Sequence, residues 1–118
     1  MRTMLAALMI CAASPTSAGM TIGELNETCI EDEKSTLGGL CVMYIVGFLE
    51  GTMLVTLLKE GETGENFGGY CLPEEVDHGQ SIAVVKKWLR DNPEMWHHPA
   101  GFSIIVAMQK AFPCPDYL

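Results

Sequence analysis

Three histidines and five cysteines are the residues of this 118-residue chain whose chemistry matters most. A covalent catalyst needs a thiolate or an activated hydroxyl beside an orienting base, which makes the cysteines and His78, His97 and His98 the candidates. A metal needs several donors converging. His97 and His98 are adjacent, so on a helix they point about 100° apart, and no third ligand stands at helical spacing from them. No two cysteines have the two-residue spacing of a zinc knuckle, so a four-thiolate site is disfavoured against disulfides. No glycine-rich phosphate loop follows a strand, and no carboxylate pair is isolated in an apolar setting. The sequence gives no ground for an enzyme, and no cofactor or metal is expected.

The cysteines take their meaning from the amino terminus. Residues 1–18 read as a secretory signal peptide: Arg2 is the only charge, residues 4–13 form a short apolar core, and Thr16-Ser17-Ala18 ends in small side chains. Cys11 then belongs to the discarded segment. A lipidated Cys11 would call for a small residue before it, and Ile10 stands there. Cleavage after Ala18 leaves 100 residues, 19–118, enough for one small domain. That domain keeps Cys29, Cys41, Cys71 and Cys114, an even number in an exported protein, and two disulfides are the natural reading. In that setting no free thiolate remains as a nucleophile. Loss of Arg2 takes the formal net charge from −8 to −9. Nucleic acid and anionic lipid are poor partners for such a chain, whereas a basic protein is steered toward it.

Residues 37–58 are the longest apolar run: 22 residues with one charge, Glu50, and no proline. A helix apolar on nearly every side is buried in a bundle or in a bilayer. Glu50 near mid-span disfavours the bilayer by about 2.5–3.5 kcal/mol on insertion scales. Gly38, Gly39, Gly47 and Gly51 each forfeit about 1 kcal/mol of helix propensity and need another purpose. Gly47 and Gly51, one turn apart beside Tyr44, form a smooth strip where a second helix can approach closely. The expectation is a buried central helix with a Tyr44/Gly47/Gly51 packing strip.

Around it the chain punctuates itself. Thr21 and Glu24 make a capping box for a short helix with Ile22, Leu25 and Cys29 inward, and Ser35 or Thr36 caps the long one. Residues 59–70 are glycine-rich and acidic around a lone Phe67, the composition of a solvated loop. Asp77 and Gln80 signal another cap, followed by Ile82, Val85 and Leu89 at helical spacing, with Pro93 closing that helix. Pro99 opens the last helix, with Ile104, Ile105, Met108 and Phe112 on one side, and Pro113 stops it.

An ordered string runs through these elements: Cys41 and Tyr44-Ile45-Val46-Gly47 with Gly51, then Cys71-Leu72-Pro73, then Leu89-Arg90-Asp91-Asn92-Pro93-Glu94, then His98-Pro99-Ala100, and Ala111-Phe112-Pro113-Cys114. It resembles the Rap/Tai family, small periplasmic immunity proteins that protect bacteria from peptidoglycan amidase effectors of type VI secretion. The likeness spans nearly the whole exported domain. It implies a non-catalytic protein that docks over the amidase's cleft and excludes the cell wall, with the acidic charge hastening an encounter with a basic toxin. The family's inhibitory contacts form no motif that can be matched here.

The fold expected is all-α, a small disulfide-stapled bundle of about four helices, over residues 22–30, 37–59, 77–91 and 99–112. Four cysteines allow three pairings. The path of the helices brings Cys114 to Cys71 and leaves Cys29 for Cys41. For the partner, residues 60–70 combine Glu62 and Glu65 with the anchor Phe67, and the rival surface is the turn 92–98, where Met95 and Trp96 stand. A second copy of the chain, giving a homodimer, is a further partner left open. The alternative function is a periplasmic chaperone-like or assembly binding protein with no toxin partner; its adaptable surface would draw on Met20, Met43, Met53, Met95 and Met108, which are instead expected mostly at core positions. A third reading anchors residues 37–58 in the inner membrane.

Overall fold

The computed structural model describes residues 19–59 and 68–116. Within them the chain forms α1 (Ile22–Cys29), α2 (Thr36–Leu58), α3 (His78–Asp91), a 3-10 turn over Pro93–Met95, and α4 (Ala100–Ala111). No strand appears among the described residues. The four helices fall within one residue of their expected limits wherever a cap is written in the sequence. Thr21 and Glu24 form the full capping box, Ser35 Oγ accepts from the Gly38 amide, and Asp77 accepts from the Gln80 amide. Each satisfies an amide that the first helical turn leaves without a partner. Pro99 takes the position just before α4 rather than its first turn.

Although it is only eight residues long, α1 touches every other helix. Ile22, Leu25, Asn26 and Cys29 are buried, and around them close Cys41 and Ile45 of α2, Val85 and Leu89 of α3, and Ile104 and Met108 of α4. Two isolated bridges pin the loops, Thr21 to Pro99 and Tyr70 to Pro113. Disulfides join Cys29 to Cys41 and Cys71 to Cys114. The first ties the end of α1 to the start of α2. The second ties the approach to α3 to the end of α4, beside an amide hydrogen bond from Cys71 to the Phe112 carbonyl (2.9 Å).

Two expectations about α2 are corrected. The helix is not buried all round: Gly38, Cys41, Ile45, Leu49 and Thr52 face the core, while Leu40, Met43, Leu54, Leu57 and Leu58 are more than half exposed. Nor do Gly47 and Gly51 pack against another helix of the chain. A Cβ built on either meets nothing within 4 Å, so the small strip faces outward, with Tyr44 half-buried at its border. The reason is geometric: three short helices cover one side of a 23-residue helix and have no surface left for the other. By length and composition α2 is able to cross a membrane, yet its inner face is packed on protein and Cys41 is bonded to Cys29. Met43 and Met53 leave the core with the outer face, whereas Met108 is fully buried.

The close approaches to the backbone use different glycines. At Gly38 a Cβ would run into the Asp32 carbonyl, and at Gly101 it would lie 2.6 Å from the Phe48 ring. These positions, and not 47 and 51, are where the backbone needs the missing side chain.

Candidate partner-binding site

Of the residues expected to meet a partner, Glu62, Glu65 and Phe67 lie outside the described residues. The exit of their segment is firmly placed. Gln109 Nε2 donates to the Gly68 carbonyl at 2.6 Å, and Tyr70 is buried with its hydroxyl 3.4 Å from Thr52 Oγ1. Gly68 and Tyr70 are thereby held to α4 and α2 respectively.

The rival turn is described in full. Asn92 Nδ2 caps the Trp88 carbonyl at 2.8 Å, the Met95 amide donates to Asn92 O, and the His98 amide to Met95 O. Trp96 Nε1 donates to the Leu89 carbonyl at 2.8 Å, fixing the indole against the end of α3. From the other side the Gly23 amide donates to Trp96 O and the Ile22 amide to His98 O. The turn is thus sewn to the start of α1, where two of the first-turn amides find acceptors. Trp96 remains 37% exposed and Met95 half-buried. Beside them the His97 and His98 rings lie 4.1 Å apart, and His98 is 5.8 Å from the half-exposed Phe102. The indole is tied inward to the end of α3 and still shows a face to solvent.

An open groove of about 780 Å³ follows α1, with Met20, Ile30 and Leu37 as its apolar lining and Glu24, Glu27 and Glu31 among its walls. The Glu24 carboxyl is held below its ordinary value, first by the Thr21 amide and then by the Thr21 hydroxyl. On α3, Asp91 is likewise lowered, chiefly by its hydrogen bond to Lys87 (2.7 Å). Among the described residues no three His, Cys, Asp or Glu side chains converge as a metal site. His78 stands 3.9 Å from Glu50 across the outer face of α2, both largely exposed. The four cysteines of the domain are all bonded. Sequence reasoning missed the outer face of α2, although the even spread of apolar residues around that helix was its signal.

The fold is a disulfide-stapled helical domain whose exposed features, among the described residues, are aromatic, apolar and acidic. The chain belongs to the Rap1a immunity proteins: the family model matches residues 21–114, from the α1 cap to the last cysteine. No curated protein and no solved structure is significantly similar to it.

Proposed function

We propose that the protein is a periplasmic immunity protein that binds a peptidoglycan amidase effector of type VI secretion and covers its cleft, without catalysis of its own. The observation that carries this reading is the match to the Rap1a immunity proteins over residues 21–114. The acidic balance supports it, since a chain of net charge −8 attracts a basic toxin at long range. Two surfaces compete for the interface: residues 60–70, which offer Glu62, Glu65 and Phe67, and as their rival the turn 92–98, which offers Trp96 as an aromatic anchor.

Co-expression in the periplasm with an amidase effector encoded beside its gene tests the reading. Protection of the cells, and a complex that survives gel filtration, are the expected results; lysis at full expression of the protein overturns it. To locate the interface, Phe67→Ala with Glu62→Lys and Glu65→Lys should leave the fold intact, weaken binding and reduce its salt dependence. If that variant protects while Trp96→Ala does not, the contact is the turn. A second reading, a chaperone-like binding protein with no toxin partner, is favoured by one observation, the exposed Met43 and Met53 on α2.

A further inference from the structure

Residues 19–33 carry five of the chain's 15 acidic side chains, Glu24, Glu27, Glu31, Asp32 and Glu33, and no basic one. Three of them, Glu24, Glu27 and Glu31, line the open groove that follows α1. Their spacings of three and four residues set them in one row about 10 Å long. The Glu24 carboxylate accepts from the Thr21 amide (2.8 Å) and hydroxyl (3.1 Å), so it belongs to the helix cap. Glu27 and Glu31 are exposed and form no ion pair among the described residues, whereas Glu33 pairs with Lys86 and Asp91 with Lys87. The apolar wall is equally uncovered: Ile30 is 68% exposed and Leu37 50%, while Ile22 and Leu25 on the inner side of α1 are fully buried. The Cys29–Cys41 bridge ties together the two segments that carry Ile30 and Leu37.

A small cation in an open groove would keep much of its surface in water, where binding pockets cover about 70–90% of a ligand. A chain segment makes better use of it. Charge complementarity and spacing say which kind. On an α-helix, lysine or arginine side chains three and four residues apart repeat at the interval of Glu24, Glu27 and Glu31, and an adjoining apolar stripe at the same spacing meets Met20, Ile30 and Leu37. Met20 suits such a wall, since an unbranched thioether adapts to the shape laid against it. We propose that the groove along α1 is the docking site for a basic amphipathic helix of the effector. This rests on the immunity reading, and it adds a second contact to the one over the cleft, separate from residues 60–70 and 92–98.

The groove is tested first with a probe: a labelled peptide four helical turns long, with lysines and leucines on adjoining faces, titrated by fluorescence anisotropy at physiological salt. Glu27→Lys/Glu31→Lys and, separately, Ile30→Ser/Leu37→Ser should each weaken its binding about tenfold. Glu74→Lys/Glu75→Lys, the same change of charge at exposed positions outside the groove, should alter it less than about threefold. Glu24 is left in place because it caps α1, and circular dichroism checks that each variant is folded. The same peptide with serine for leucine should bind as weakly as the groove variants bind the original. If it binds the wild type as well as the leucine peptide does, or if the control variant loses as much affinity as the groove variants, the groove is only an acidic patch and the inference is overturned. The effector encoded beside the gene is then titrated against the same variants, with the same ranking expected. Wild-type binding that neither groove variant weakens overturns the docking site and leaves the immunity reading standing. An effector that the wild-type chain does not bind at all overturns the immunity reading and the effector's helix with it.

Discussion

Neighbouring glycines in α2 have opposite needs. An added Cβ at Gly38 collides with the Asp32 carbonyl, and one at Gly39 meets nothing within 4 Å. Gly38→Ala should therefore destabilise the domain by about 1–3 kcal/mol, the usual cost of overpacking. Gly39→Ala should stabilise it by up to about 1 kcal/mol through helix propensity, and thermal melts of the pair check both signs. A second residue-scale effect is protonic. Glu24 has a lowered pKa because its carboxylate accepts from Thr21, so its stabilising effect is present above the ordinary glutamate range and is lost as pH falls through the folded value. Melting curves taken from neutral into acidic pH should decline, and Glu24→Gln should remove that part of the slope. Capping signals were the most legible features of the sequence, since Thr21, Ser35 and Asp77 act on amides only three residues away. The glycines were less so: which of them is crowded depends on what other segments bring beside them, and nothing local encodes it.

At the scale of the element, helix limits and cysteine pairing followed from the chain's own periodicity and path, while the environment of α2 did not. A helix apolar on all sides states that each face wants covering, without stating by what. The mistaken expectation was that one domain supplies every cover. Trp96 was ambiguous for a related reason: an indole at a turn can close the core or meet a partner, and the structure shows it hydrogen-bonded inward while partly exposed. The disulfides allow a quantitative expectation. They close loops of 12 and 43 residues, so in the loop-entropy model their removal should cost about 3 and about 4 kcal/mol. Urea titrations of Cys29→Ser/Cys41→Ser and of Cys71→Ser/Cys114→Ser measure the two separately, and the second should unfold first.

For the whole molecule the acidic charge governs encounter. Association with a basic effector should slow as salt rises, the contacts once formed being less affected; stopped-flow mixing at increasing ionic strength shows this as a falling on-rate. The bridges Cys29–Cys41 and Cys71–Cys114 do not overlap along the chain. Covalently, the protein is therefore two closed rings on a string, and residues 42–70 are the only thread between them. A protease that nicks inside either ring leaves one oxidised polypeptide, which falls into fragments only on reduction. A nick just after Lys59 gives two polypeptides at once. These halves, one holding α1 and α2 and the other α3 and α4, would remain together without a covalent link, through the packing of α1 and α2 on α3 and α4 and the hydrogen bonds from the start of α1 to the 92–98 turn. Produced as separate chains, they are expected to reassemble as a split protein, each carrying its own staple.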